Sequence, residues 1–285
     1  MSRGDPRVPG PVLGGSGAPG LAEAVLAARR LVDEADAVTV LTGAGISTDS
    51  GIPDFRGPNG LWTRDPDAEK AATLSAWTSD PELRRRAWRR RAAGELWPHV
   101  EPNPGHRALL ALEEREKLLL VVTQNVDGLH QAAGTDPSRV VEVHGTTRRV
   151  RCLSCSWSAP TEVVLERVRA GDDDPHCEIC GGLLKSATVS FGQNLDPRDL
   201  ARAEAAASAC DLFLAVGTSL QVFPINETVP LAAAHGARIV IVNGEPTPYD
   251  ALADVVVRGS ISEVLPVITG AADPGSGGVG ERGDE

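Results

Sequence analysis

Short apolar runs rich in β-branched residues recur along the chain, and amphipathic helical patterns separate them. Runs that are nearly continuous in apolar residues are typical of strands buried on both faces of a parallel sheet. Helices are expected at 21–35 and 197–207, the second with Asp196 as N-cap and Pro197 as its first residue. Six strands are expected at residues 37–41, 118–122, 140–143, 212–216, 239–242 and 255–257.

Alternating strands and helices predict an α/β fold class, a Rossmann-like doubly wound parallel sheet with ligands at the carboxyl ends of its strands. Two segments interrupt the alternation and predict a smaller inserted domain: a helical, arginine-rich module at 55–105 and a cysteine-containing segment at 149–195. The main domain is then expected at 19–54, 106–148 and 196–270. Tails 1–18 and 271–285 are rich in Gly, Pro and charge, which predicts disorder.

Composition narrows the functional classes. The chain has 285 residues, of which 41% are hydrophobic and 24% charged, as in ordinary soluble proteins. It has neither a membrane-spanning apolar run nor the apolar core of a signal peptide, so a cytoplasmic protein with no membrane association is expected. The net charge of -11 argues against direct nucleic-acid binding and favours basic partners such as lysine-rich tails.

Four of the five cysteines form two matched pairs. Cys152 and Cys155 are separated by two residues, as are Cys177 and Cys180, and the 21 residues between the pairs suit a zinc ribbon. Four thiolates complete a tetrahedral shell, so one structural Zn²⁺ is predicted. The alternative, a thioredoxin-like redox pair, needs a single C-x-x-C at the start of a helix. Cys210 is expected to be a small buried residue.

Polar and glycine-rich segments follow several expected strands. The first strand runs into a G-x-G loop, 43–48, which suits close approach of the backbone to a pyrophosphate but could equally serve a tight turn. Asp54, Phe55 and Arg56 place a carboxylate, an aromatic ring and a guanidinium in one loop. Amide and carboxylate groups follow the second strand in the segment 123–130, and His144 follows the third.

Together these segments closely resemble the sirtuin family. The resemblance covers roughly residues 20–270 and includes GAGIST, GIPDFRGPNGLW, TQNVDGLH, the His-Gly pair, the four cysteines, FG, GTSL and VNGE in the family's order. It implies an NAD-dependent protein lysine deacylase that acts on acylated-lysine proteins and releases nicotinamide, O-acyl-ADP-ribose and free lysine. The main domain would bind NAD as cosubstrate.

The resemblance also implies roles for individual residues. His144 would be the general base that deprotonates a ribose hydroxyl, and the ordinary histidine pKa of about 6.5 suits this task. Asn125 is the second expected catalytic residue and would share the nicotinamide pocket with Asp127. His106 and His130 match no catalytic position and are expected to be structural. The expected NAD-binding residues are Gly43, Ala44, Gly45, Ser47, Asp54, Phe55, Arg56, Trp62, Gln124, Asn125, Val126, Asp127, Gly217, Thr218, Ser219, Asn243, Glu245 and Ile261.

On the peptide side, Phe191 and Gly192 match the family's substrate-binding pair, although Gln193 stands where glutamate is common. Family members that remove succinyl or malonyl groups use a tyrosine and an arginine three residues later, and the nearest match is Trp88 with Arg91. The arginine run around them could instead be a solvated helix face. Without the tyrosine hydroxyl, acetyl groups are expected to react faster than succinyl groups.

Other functions stay open at this point. An NAD-dependent protein ADP-ribosyltransferase would use the same pocket and pass ADP-ribose to a protein nucleophile. A zinc-ribbon binding module or a nucleotide sensor without turnover belongs to a different class. The presence of His144, Asn125 and the Phe191-Gly192 pair favours deacylation over all three.

Overall fold

The computed structural model describes residues 18–55, 57, 60–64, 69, 72–95 and 100–273. Most of the two expected tails, 1–17 and 274–285, therefore lies outside the described residues. The division into domains at the boundaries given above stays a prediction.

The elements of the main α/β fold follow the hydrophobic pattern closely. Each expected strand forms within one residue of its expected ends, and the second expected helix extends two residues further. Its Asp196 carboxylate accepts a hydrogen bond from the amide of Arg198, which makes Asp196 the N-cap as expected. The strands are β1 Val38–Thr42, β2 Leu118–Thr123, β3 Val140–Glu142, β7 Leu212–Val216, β8 Arg238–Val242 and β9 Val255–Val257. The helices are α1 Ala18–Glu34, α5 Pro104–Glu114, α6 Leu129–Ala132, α8 Pro197–Ala209, α9 Thr228–Ala234 and α10 Ile261–Thr269.

The six strands form one parallel sheet in the order β3-β2-β1-β7-β8-β9. The chain starts in the middle of this sheet, builds outward through β2 and β3, and returns to the other side of β1 through β7. This order confirms the predicted doubly wound sheet. It also places the topological switch point next to β1, where the ligands of such folds bind.

Apolar side chains fill both faces of the sheet. On one face, Val40 and Leu214 pack with residues of α1, α5 and α10 such as Val32, Leu109 and Leu265. On the other face, side chains of β1, β7 and β8 pack against the small residues of α8 and α9. The strands are nearly all apolar because neither face meets water.

A second, smaller sheet interrupts the main fold. It is antiparallel, in the order β5-β4-β6, with β4 Gly145–Cys152, β5 Ser158–Pro160 and β6 Leu184–Thr188. Helix α7, Thr161–Arg169, covers it together with α3, Leu74–Ser79, and α4, Pro81–Ala92. A single turn, α2 Leu61–Arg64, precedes these helices. The predicted inserted domain is therefore present, with helices from one segment packed on the cysteine-bearing sheet of the other.

Candidate active site and metal centre

Two glycine turns meet at the carboxyl end of β1. The amide of Gly45 donates to the carbonyl oxygen of Gly217 at 2.8 Å. A Cβ atom on Gly217 would lie 2.4 Å from the amide nitrogen of Ile46, and the backbone φ of +60° there disfavours any other residue. The contact leaves no space for side chains between the turns that follow β1 and β7, so backbone lines this part of the site.

A network of polar side chains adjoins this turn. The side-chain nitrogen of Asn125, Nδ2, donates to the carbonyl of Gly43 and to the hydroxyl of Ser47, both at 3.1 Å. Ser47 in turn donates to a carboxylate oxygen of Asp127 at 2.8 Å, and the amide of Leu129 donates to the other at 2.9 Å. Burial raises the pKa of Asp127, while these hydrogen bonds act in the opposite direction. The two side chains predicted for the nicotinamide pocket, Asn125 and Asp127, are thus linked through Ser47.

His144 lies two residues after the end of β3, at the same edge of the sheet. The amide of the preceding Val143 donates to the carbonyl of Thr123 at 3.0 Å, which holds the backbone beside β2. The Nδ1 atom of His144 lies 3.0 Å from the carbonyl oxygen of Gln124. A carbonyl can only accept, so in the neutral ring Nδ1 carries the proton and Nε2 carries the basic lone pair. This arrangement suits a general base.

Further predicted NAD residues line the ends of β1, β2 and β7. The side-chain amide of Gln124 donates to the hydroxyl of Thr218 at 2.8 Å, which joins the turns after β2 and β7. Ser219 is half-buried next to Thr218, as is Ala44 beside Gly45. The carbonyl of Val126 accepts from Thr147 at 3.0 Å, which holds the segment after β2 against β4.

The remaining predicted contacts lie further along the sheet edge. Asn243, at the end of β8, donates to the carbonyl of Glu245 at 2.8 Å, and the Glu245 side chain is exposed. Ile261 is half-buried at the start of α10. In the loop after β1, Asp54 is half-buried and Phe55 is 36% exposed. Arg56 lies outside the described residues, and of Trp62 the structure describes only its place in α2.

The four paired cysteines converge on one point. Their Sγ atoms all lie within 4.8 Å of one another, with 3.5 Å between Cys152 and Cys180 and 3.7 Å between Cys155 and Cys177. These separations exclude disulfides, which need about 2 Å, and match the spacing of about 3.8 Å that four Zn–S bonds of 2.3 Å produce in a tetrahedron. The donor set therefore fits a structural zinc ion. Cys210 is buried in the core away from this cluster, as expected.

The predicted peptide-binding pair follows β6. Phe191 is 41% exposed, and Gly192 has a φ of +86° in a turn. The side-chain oxygen of Gln193 accepts from the amide of Ser190 at 2.9 Å, so the residue that replaces the common glutamate stabilises this turn. The amide of Val189 donates to the carbonyl of His144 at 2.8 Å, which ties the turn to the candidate base.

The predicted acyl-pocket residues lie on the inner side of α4. Trp88 is completely buried and packs edge-on against Trp77, with ring centroids 5.8 Å apart, in the core of the inserted domain. Arg91 donates to the hydroxyl of Ser186 and stacks 5.5 Å from the centroid of the Trp88 ring. Contact of either residue with an acyl chain stays a prediction. Trp88, at 0% exposure, has no surface open to a ligand in this structure.

Two histidines assigned only structural roles from the sequence lie immediately behind the polar network. His106, in α5, approaches the hydroxyl of Ser47, and His130, in α6, approaches that of Thr42. Both are almost fully buried, at 0% and 1% exposure. Only their position in an amphipathic helix could have indicated burial from sequence, and nothing in the sequence pairs them with Ser47 and Thr42. Within the described part of the chain, no helix is long and apolar enough to cross a membrane.

Comparisons with known proteins identify one family. The model of the Sir2 family matches residues 43–224. A protein of Streptomyces coelicolor named NAD-dependent protein deacetylase 2 is 55% identical over 232 residues, which are 81% of this chain and 95% of that protein.

Comparison with solved structures identifies the same family. A structure described as a basis for the mechanism and regulation of Sir2 enzymes matches with a TM-score of 0.78 at 38% identity, over 87% of this chain and 97% of that one. A Sir2 variant with a deacetylated p53 peptide and 3'-O-acetyl ADP-ribose matches with a TM-score of 0.76 at 33% identity, over 85% and 96%. The family match spans more than half of the chain and includes both glycine turns, the candidate base and the four cysteines. The chain belongs to the Sir2 family, the sirtuins.

Proposed function

We propose that this protein is an NAD-dependent protein lysine deacetylase with His144 as its general base. The observation that carries the proposal is the hydrogen bond from Nδ1 of His144 to the carbonyl of Gln124, which leaves Nε2 as the basic nitrogen of a residue at the carboxyl edge of the sheet. A relative at 55% identity is named NAD-dependent protein deacetylase 2, and a similar Sir2 structure is described with a deacetylated p53 peptide and 3'-O-acetyl ADP-ribose.

The chain's own residues divide the work. Bound NAD would supply an electrophilic ribose carbon that takes the acyl oxygen while nicotinamide leaves. Gly43, Gly45 and Gly217 form a side-chain-free wall that allows a pyrophosphate to approach the backbone. Asn125 and Asp127 would hold the nicotinamide carboxamide, since a carboxylate can accept from its NH2 group. Nε2 of His144 would take the proton of a ribose hydroxyl, which general-base catalysis accelerates by roughly a hundredfold to ten-thousandfold.

The zinc ion would serve the fold. Cys152, Cys155, Cys177 and Cys180 would fill its coordination shell, so no position is left for a reacting group. Thiolate coordination joins the end of β4 to the segment before β6, and β6 leads into the peptide-binding turn at Phe191. A bound zinc ion would therefore stabilise the segment that leads into the predicted peptide-binding turn.

Acylated-lysine proteins are the proposed partners, and neutral acyl groups the preferred substrates. A succinyl carboxylate entering a dry pocket needs a cationic partner. The candidate cation, Arg91, already donates to Ser186 and stacks on Trp88. We expect kcat/KM for acetyl-lysine to exceed that for succinyl-lysine on the same peptide by about tenfold or more, a difference of about 1.4 kcal/mol. Equal rates in a mass-spectrometric assay with matched peptides would show that a cation does reach the acyl carboxylate.

Nicotinamide release from NAD tests the deacetylase proposal against ADP-ribosyl transfer. Release that depends on an acetyl-lysine peptide, with one deacetylated peptide per nicotinamide, is the expected result. Release without peptide, accompanied by ADP-ribose attached to protein, would show that the enzyme is a transferase. NAD binding with no release under either condition would identify a nucleotide sensor.

A further inference from the structure

His106 and His130 lie side by side beneath the proposed nicotinamide pocket, one from α5 and one from α6. Their ring centroids are 5.1 Å apart and the rings are tilted by 60°. Both are buried, and burial lowers the pKa of His106 to about 4 and that of His130 to about 3. Two imidazolium rings this close in a dry interior would repel each other, so both rings are neutral near neutral pH.

The hydrogen bonds of His106 determine which of its nitrogens carries the proton. The backbone amide of Asn103 donates to its Nδ1 at 3.3 Å, so Nδ1 has the lone pair and Nε2 has the hydrogen. Nε2 lies 3.4 Å from the hydroxyl of Ser47 and therefore donates to it. With its oxygen occupied by this donor and by Asn125, Ser47 directs its own proton to Asp127 at 2.8 Å. The chain of donors ends on the Asp127 carboxylate.

His130 starts a second chain of hydrogen bonds, in which the last bond runs back toward Thr123. The hydroxyl of Thr42 donates to that of Thr123 at 2.8 Å, so it can only accept from Nε2 of His130, 2.9 Å away. Thr123 also accepts from the backbone amide of Asn125 at 3.1 Å. The remaining nitrogen of His130, Nδ1, is buried without a hydrogen-bond partner. Leaving a lone pair unpaired there costs less free energy than leaving an N–H unpaired. This chain ends on the backbone of Asn125.

We propose that His130 and His106 are positioning residues for the reaction: each ring, as its Nε2–H tautomer, donates to a hydroxyl whose onward hydrogen bonds hold Asn125 or Asp127 in the nicotinamide pocket. The inference rests on the proposed function, because it needs those two residues to contact the nicotinamide carboxamide. Neither histidine touches a substrate. The two rings instead determine how firmly the pocket residues are held.

Matched variants of the His130 chain test the proposal. His130→Phe keeps a ring and removes the donor, whereas Thr42→Val keeps the shape of the next residue and removes its hydroxyl. Each is expected to raise the KM for NAD, and the nicotinamide concentration that halves turnover, by about fivefold, with a smaller change in kcat. Thr42→Ser restores the hydroxyl and should stay within about twofold of wild type. His235→Phe, an exposed histidine whose Nδ1 bonds to a backbone carbonyl, is the control and should have no effect.

A double-mutant cycle shows whether His130 and Thr42 act through one hydrogen-bond chain or through two independent structural effects. If His130 acts through Thr42, the double variant should be no worse than the worse single variant, because the chain is already broken. Multiplied effects would overturn the proposal, as would wild-type constants in a folded His130→Phe protein. The wild-type enzyme gives a second test that needs no variant, because ¹⁵N chemical shifts should show both rings as Nε2–H tautomers. An Nδ1–H tautomer in His106 or His130 would refute the hydrogen-bond chain that begins at that ring.

Asn125→Ala distinguishes this inference from the proposed function. If Asn125→Ala changes the NAD and nicotinamide constants but His130→Phe and Thr42→Val do not, only the positioning role fails. If Asn125→Ala itself leaves those constants unchanged, the nicotinamide pocket has been assigned to the wrong residues.

Discussion

Removal of the imidazole in His144→Ala should abolish most of the deacetylation while leaving the fold and NAD binding intact. The side chain is half-buried, and its Nδ1 donates a hydrogen bond to the Gln124 carbonyl. The backbone carbonyl of residue 144 also accepts from the amide of Val189 at 2.8 Å. Truncation to alanine keeps this backbone bond and removes the Nδ1 hydrogen bond, whose loss should lower stability by about 1 kcal/mol.

The expected kinetic effect is much larger. Loss of a general base lowers kcat by about a hundredfold or more, equivalent to a rise of about 3 kcal/mol or more in the activation barrier. Because the base would act after nicotinamide has left, exchange of labelled nicotinamide into NAD should fall less than formation of deacetylated peptide. Turnover is measured by mass spectrometry at saturating NAD and acetyl-peptide, and NAD affinity by calorimetry.

His235→Ala is the matched control, since the exposed His235 ring also has Nδ1 at 2.9 Å from a backbone carbonyl, that of Leu231. It should leave kcat and melting temperature unchanged. A folded His144→Ala protein that binds NAD and retains more than about a tenth of the wild-type kcat would refute the assignment of His144 as the base.

Three further predictions concern the zinc ribbon, a buried ion pair and acid stability. Cys177→Ser should lose zinc and unfold or aggregate the inserted domain, because a closed thiolate shell contributes folding energy directly; a soluble variant with wild-type melting and one zinc per chain would contradict this. Asp174→Ala should lower the free energy of unfolding in urea by about 3 to 5 kcal/mol, because it removes the carboxylate that pairs with the buried guanidinium of Arg84 at 2.8 and 2.9 Å. A decrease below about 1 kcal/mol would show that water reaches Arg84. Burial lowers the pKa of His106 to about 4 and that of His130 to about 3. The unfolded state therefore binds more protons below about pH 6.5, and stability should fall by about 1 kcal/mol per histidine between about pH 7 and 5.5. His130→Phe should lose less stability over that range, and an identical loss would show that His130 does not carry the effect.

The sequence by itself determined the six strands of the main sheet and the four thiol ligands of the candidate metal centre. Strands such as Leu212–Val216 are apolar throughout because both faces of the sheet are covered, and that burial is visible as composition within five residues. The cysteine pattern is equally local, since two C-x-x-C pairs already give the number and type of ligands. His144 needed more than local information: without the resemblance to sirtuins, a lone histidine after a strand would be interpreted as a core residue.

Only the tertiary structure decided how distant segments meet. Helical periodicity indicates that one side of α4 is buried, but only the packing of α4 on the small sheet decides that Trp88 lies against Trp77 in a core. Arg84 could not be paired with Asp174 from a run of arginines, because ninety residues separate the two in the chain. The same holds for His106 and His130. Their hydrogen bonds to Ser47 and Thr42 depend on the strand order that places β1 beside β2, and the direction of each bond depends on donors and acceptors from three different segments. Local sequence encodes whether a side chain is buried, whereas the partner of a buried polar group is decided by the arrangement of the whole chain.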